Sequence, residues 1–221
     1  MKKVIIFILI LPFLALAHTP RTKFYFAGSS EMFGKVRKIP QNELTPFHPR
    51  STYGISKVAG FDLTRHYREA FNLFCCSGIL FNHESPRRGF EFVTRKISLA
   101  VARIKNNLQK NLKLGNIKAK RDWGHAKDYV KAMWLMLQRD EPDDYVVCTG
   151  KSFTIEDFLD EAFSYAGIED WKKYVVIDKD LYRPCEVDYL RGDNAKAKKV
   201  LGWKPECDLE ELVKLMMDAK L

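Results

Sequence analysis

Short apolar runs that read as strands alternate along this chain with longer stretches whose apolar residues recur at helical spacing, the pattern of a layered α/β fold. Lys23 to Ala27 predicts a buried strand, and a polar loop with Pro40, Pro46 and Pro49 leads to a helix expected from about Thr52 to Phe71. Leu73 to Phe81 predicts a second strand. Phe92 to about Leu108 places Val93, Ile97, Ala100, Val101 and Ile104 on one helical face. Ala126 to Gln138 is read the same way, with Val130, Met133, Trp134 and Leu137 as its core residues. Tyr145 to Cys148 predicts a short strand, and Thr154-Ile155-Glu156-Asp157 opens a further helix with a capping-box pattern, ending near Gly167. Val175 to Ile177 predicts a strand. Helices over Ala195 to Leu201 and Leu209 to Met217 are expected on either side of the turn Gly202-Trp203-Lys204-Pro205.

With 221 residues the chain is long enough for one large or two modest domains. Its net charge of +9 is spread over scattered lysines and arginines with no long basic run, which argues against a nucleic-acid partner and leaves a solvated surface and phosphate contacts. Five cysteines, Cys75, Cys76, Cys148, Cys185 and Cys207, are odd in number and show no metal-ligand spacing, so free thiols in a reducing compartment are expected and no metal site is implied. The amino terminus points elsewhere. Lys2-Lys3 precede an apolar run from Val4 to Ala17 that ends Ala15-Leu16-Ala17, the parts of a secretory signal. That run, with Pro12 inside it, is too short to span a bilayer as a helix. An interfacial anchor and the start of a gene that has lost its first part are the competing readings.

Tyr53 and Lys57 stand four residues apart, a spacing that puts both on one helix face, where an ammonium stabilises a neighbouring phenolate and a tyrosine can serve as a base. Such a pair also occurs by chance in many helices. Ser29 and Glu31 follow the first predicted strand, and open α/β sheets put their chemistry at the carboxyl ends of strands. Neither G-x-G-x-x-G nor G-x-x-G-x-x-G, the usual pyrophosphate cradle, occurs anywhere in the chain.

Five strings appear in order: Gly28-Ser29-Ser30-Glu31-Met32-Phe33-Gly34, then Pro49-Arg50-Ser51-Thr52-Tyr53-Gly54-Ile55-Ser56-Lys57, then Asn82-His83-Glu84-Ser85-Pro86-Arg87-Arg88-Gly89, then Lys120-Arg121-Asp122-Trp123-Gly124, then Tyr182-Arg183-Pro184-Cys185-Glu186-Val187-Asp188. On them the segment from Lys23 to Leu221 resembles the GDP-mannose 4,6-dehydratase family, within the extended short-chain dehydrogenase/reductase group of nucleotide-sugar enzymes. The resemblance implies an α/β fold: the second half of a Rossmann-type parallel sheet over residues 23–83, with 125–150 returning to it, interleaved with a smaller substrate-binding domain mainly over 84–221. Residues 1–22 lie outside it. Family members carry a further domain half ahead of the segment that matches, including the first strand and the glycine-rich turn.

The activity implied is conversion of GDP-mannose to GDP-4-keto-6-deoxymannose with NADP regenerated in each turnover. Tyr53, assisted by Lys57, takes the C4 hydroxyl proton as hydride leaves C4. Glu31 then removes the C5 proton, made acidic by the new ketone, and helps the C6 hydroxyl leave as water. Ser29, where many relatives carry threonine, hydrogen-bonds the C4 oxygen. Tyr53, Lys57, His83 and Arg88 carry over as cofactor contacts, and Asn82, Arg88, Lys96, Arg121, Arg183 and Glu186 as contacts to the GDP-sugar, with guanidinium groups suited to its diphosphate. The resemblance also implies a cytoplasmic homo-oligomer, a dimer or tetramer, with membrane association only if the first residues form an anchor. Two alternatives stand beside this. One is another nucleotide-sugar dehydratase or epimerase, against which Glu31 argues because simple 4-epimerases need no C5 base. The other is an inactive or partner-dependent remnant lacking the cofactor-binding half.

Overall fold

The computed structural model describes residues 22–182, 187 and 189–220. In chain order the regular elements are β1 (Phe24–Ser29), α1 (Thr52–Phe71), β2 (Cys75–Leu80), β3 (Asn82–Glu84), α2 (Val93–Lys105), β4 (Leu112–Leu114), β5 (Lys120–Arg121), β6 (Trp123–His125), α3 (Ala126–Leu137), β7 (Asp144–Val147), β8 (Phe153–Thr154), α4 (Ile155–Tyr165), β9 (Val175–Ile177), α5 (Ala195–Leu201) and α6 (Leu209–Asp218). The larger sheet runs β1-β2-β7, all parallel. Around it lie two short parallel pairs, β3 with β6 and β4 with β9, and the antiparallel pair β5 with β8.

Strand alternation builds the layers. Cys76 and Leu80 of β2, with Tyr145 and Val147 of β7, pack with Tyr129, Ala132 and Met136 of α3 and with Trp203. Their neighbours Ile79 and Val146 point to the other face and join Phe33, Phe61, Phe81 and Cys148 on the α1 side. A third core unites α2, α4 and α6 through Ile97, Val101, Phe158, Phe163, Leu212 and Met216.

The expected helix over Thr52 to Phe71 has those bounds, capped by the Ser51 hydroxyl, which accepts from Gly54 N at 3.0 Å. The predicted capping box at α4 is present, Thr154 and Asp157 bonding reciprocally. The second predicted helix stops at Lys105 rather than Leu108, because Asn107 takes a left-handed conformation, φ 58°. The first strand runs on to Ser29, two residues beyond the expected end, which carries Ser29 to the last strand position.

One core assignment is overturned. Val130 and Trp134 of α3 are each 60% exposed, whereas Tyr129, Ala132 and Met136 are buried. Met133 and Leu137 flank that buried face and are half-buried. Size favours Val130 and Trp134 as core residues, but the sheet accepts small Ala132 and the ring of Tyr129 at its surface. The Trp203 indole, donating to Asp128 O at 2.8 Å, closes the other side of the buried face. Cys75, Cys76, Cys148 and Cys207 are free and buried, and Cys185 lies outside the described residues. Among the described residues no helix is long and apolar enough to cross a membrane. The apolar run from Val4 to Ala17 lies outside them.

Candidate active site

The carboxyl ends of the parallel strands are level. Ser29 of β1 lies opposite Leu80 of β2, and the chain continues from there through Phe81 into Asn82 and His83. After Ser29 comes a short helical turn over Ser30–Met32, begun by the Ser29 hydroxyl accepting from Glu31 N at 3.2 Å. That bond uses an Oγ lone pair and leaves the hydroxyl hydrogen available to a ligand oxygen.

The first turn of α1 rests directly on this turn. A Cβ at Gly54 would stand 2.8 Å from Glu31 O, so only glycine lets Tyr53 and Glu31 be carried on backbones that touch. Gly60 admits the Phe26 ring in the same way one and a half turns further on. Tyr53 is 53% exposed, while Glu31 is half-buried. Lys57 lies between Tyr53 and the strand beneath it. Its Nζ donates to Ala27 O at 2.9 Å and sits over the ring faces of Tyr53 and Phe26, at 5.5 and 5.4 Å from the centroids, rather than hydrogen-bonding the phenol. Burial lowers its pKa, and the strand carbonyl fixes its place.

Across the strand ends, β3 brings up Asn82 and His83. Asn82 Oδ1 is buried without a hydrogen-bond partner among the described residues. The His83 ring stacks on Tyr129, centroids 4.9 Å apart, and its Nδ1 is 2.9 Å from Phe81 O. A carbonyl oxygen only accepts, so Nδ1 carries the hydrogen and Nε2 is left as an acceptor. Burial and then the Arg88 charge hold the His83 pKa below its usual value, which keeps the ring neutral near pH 7. Arg88 follows on a turn in which its N–H donates to Ser85 O at 2.9 Å. Lys96 lies in the first turn of α2, half-buried. That helix start has neither a side-chain cap nor an acidic residue, so its positive end is available to an anion.

Arg121 ends β5 and its guanidinium donates to Lys120 O at 2.9 Å. Arg183 and Glu186 lie outside the described residues. Next to Arg121, Asp122 is fully buried and accepts four bonds: Thr149 N at 2.8 Å and Thr149 Oγ1 at 2.7 Å on Oδ1, Gly150 N at 2.9 Å and Gly192 N at 3.3 Å on Oδ2. Burial outweighs those bonds and pushes its pKa up to about 6. Asp122 thereby ties three crossing segments together beneath Arg121. It stands inside the Lys120-Arg121-Asp122-Trp123-Gly124 string, but its partners 27 and 70 residues away gave it no local signal. Glu84 and Thr94, joined at 2.6 Å, were missed likewise.

Residues 8–216 match the sequence model of the family described as GDP-mannose 4,6 dehydratase. The chain belongs to that family. It is 61% identical over 199 residues to GDP-mannose 4,6 dehydratase 2 of Arabidopsis thaliana, an alignment covering 90% of this chain and 53% of that protein. To the human GDP-mannose 4,6 dehydratase it is 50% identical over 213 residues, covering 89% and 57%. The chain thus spans little more than half the length of these curated relatives. Among solved structures, RMD from Pseudomonas aeruginosa complexed with NADPH superposes with a TM-score of 0.85 at 26% identity, over 96% of this chain and 72% of that one. The dTDP-glucose 4,6-dehydratase of Bacillus anthracis in complex with NAD does so with a TM-score of 0.84 at 19% identity, over 96% and 65%, a likeness of fold. In this dehydratase-family chain the parallel sheet and its helices accord with that Rossmann-type architecture.

Proposed function

We propose that this chain takes part in converting GDP-mannose to GDP-4-keto-6-deoxymannose, as a lyase, with NADP as its cofactor. The observation that carries the reading is the contact of the Ser29–Glu31 turn with the first turn of α1 at the strand ends, which groups a hydroxyl, a carboxylate, a phenol and an ammonium. NADP fits the donor set on this side of the site. Lys57 retains two N–H groups beyond its bond to Ala27 O, His83 offers Nε2, and the Arg88 guanidinium lies beyond it. When bound, NADP supplies a reversible hydride store.

Within that frame Tyr53 takes the proton of the C4 hydroxyl, with the Lys57 ammonium beside it, 5.5 Å from the centroid of its ring. Ser29 donates its free O–H to the C4 oxygen. Glu31 takes the C5 proton once C4 is a ketone and returns a proton to the departing C6 oxygen, so one carboxylate serves both ends of the elimination. The cap-free start of α2, Lys96 and Arg121 receive the diphosphate, and the buried Asn82 carbonyl accepts from a ligand hydroxyl or amine. Glu31 separates this reading from a 4-epimerase, which has no use for a base at C5.

Separate calorimetric titrations of NADP⁺ and GDP-mannose into the chain are expected to show binding of each, and a turnover in D₂O is expected to place deuterium at C5. Tyr53→Phe and Glu31→Gln should each abolish that incorporation, the first because no ketone forms, the second because no base reaches C5. Silence in both titrations would sink the reading. Incorporation surviving in Glu31→Gln would mean that another group is the base at C5.

A further inference from the structure

Arg88 is restrained on three sides. Its Nε lies 3.1 Å from Glu84 Oε2, four residues back, and its Cζ stands 3.5 Å from the centroid of the Phe92 ring. Its own N–H closes the turn onto Ser85 O. The Nε–H does not point along the line to the carboxylate, so the contact with Glu84 is Coulombic rather than a directed hydrogen bond. Glu84 is itself fixed, being 2% exposed and accepting from the Thr94 hydroxyl at 2.6 Å. Among the described residues no hydrogen-bond partner engages either terminal nitrogen of Arg88.

Stability alone is a poor reason for this arrangement. A buried carboxylate loses its hydration, and an apolar side chain of similar size is usually at least as stabilising. What the ion pair supplies is place, and what the ring supplies is a surface for the guanidinium to rest against. A guanidinium attracted by a buried carboxylate and with its Cζ 3.5 Å from the centroid of an aromatic ring has lost much of its rotamer freedom before a ligand arrives, and its two outer nitrogens form a planar fork.

We infer that Glu84, Thr94 and Phe92 are positioning residues for Arg88, fixing its guanidinium plane so that the two terminal nitrogens meet a phosphate of the bound dinucleotide as a preformed fork. This rests on the cofactor reading above. Glu84 and Thr94 touch no ligand in it and act through Arg88, and Phe92 acts as the floor of the fork.

Two measurements on the full chain test it. In arginine side-chain ¹⁵N spectra without cofactor, the Arg88 Nε–Hε signal is expected to be rigid in the wild type and mobile in Glu84→Gln, with Glu84→Asp in between. In NADP⁺ titrations, Glu84→Gln is expected to weaken binding about tenfold in the wild-type background and not at all in Arg88→Gln, the coupling expected of a residue that works through its neighbour. Should Glu84→Gln fail to give the wild-type fold by circular dichroism, Phe92→Leu replaces it in both measurements with the same expected pattern. Equal Arg88 mobility in wild type and variant, or equal weakening with and without Arg88, overturns the inference. Wild-type affinity in Arg88→Gln, or no NADP⁺ binding by the wild type, instead defeats the cofactor reading, and the spectra then decide the positioning by themselves.

Discussion

The two sides of the candidate site are held in different ways. Ser29, Glu31, Tyr53 and Lys57 hang on backbone contacts: Gly54 against Glu31 O, Ser29 on Glu31 N, Lys57 on Ala27 O, with Tyr53 left 53% exposed. Across the strand ends, Glu84 and Asp122 are buried carboxylates that are themselves the anchors: Glu84 accepts from the Thr94 hydroxyl, and Asp122 from the Thr149 hydroxyl and from the backbone N–H groups of Thr149, Gly150 and Gly192. The difference teaches where substitutions should act. Side chains on the first side can change with the backbone unmoved, whereas on the second each carboxylate is itself part of what holds the segments together.

Asp122→Asn should have the largest effect on stability. An amide there turns its NH₂ toward two donors, leaving either Thr149 N or Gly150 N and Gly192 N unpaired, and about 3 kcal/mol of unfolding free energy is the expected loss in urea titrations. A loss under about 0.5 kcal/mol would erase the contrast. The same carboxyl carries a pH signature. Its folded pKa, about 6, lies above the ordinary value of 3.8, so its contribution to stability is complete below pH 3.8, declines as pH rises through 6, and is level beyond. The Asp122 carboxyl ¹³C shift should show a midpoint near that value, and a midpoint near 3.8 would mean the four hydrogen bonds fully offset burial.

Gly54→Ala comes next. The added methyl would press on Glu31 O, a backbone atom that yields only if α1 moves off the turn, and a cost of about 1–3 kcal/mol is expected. It should also lower turnover more than it lowers affinity for the nucleotide sugar, because it separates Tyr53 from Glu31 and leaves the α2 start untouched. Smallest of all should be the stability changes in Tyr53→Phe and Glu31→Gln, within about 0.5 kcal/mol of wild type by thermal unfolding. A large loss in either would mean the first side is built like the second.

The same contrast governs what could be read from the chain in advance. The helix start at Thr154 was legible because a cap and its partner lie three residues apart. Tyr53 and Lys57 were legible because one helical turn separates them. The buried face of α3 was misread because the choice between Val130 with Trp134 and Tyr129 with Ala132 depends on which sheet residues stand opposite. The strands β3, β4 and β6 passed unread, being three residues each and paired only across long stretches of chain.

The sequence by itself determined the alternation of strands and helices, the family and the identity of the groups at the strand ends, since periodicity, caps and motif strings are written in neighbouring residues. Tertiary structure alone decided that Lys57 hydrogen-bonds a strand carbonyl, that Asp122 gathers three segments, and that Glu84 and Phe92 bracket Arg88. The physical reason is that burial sets the energetics of a charge and the direction of a guanidinium, and burial is a property of what the remainder of the chain places around them.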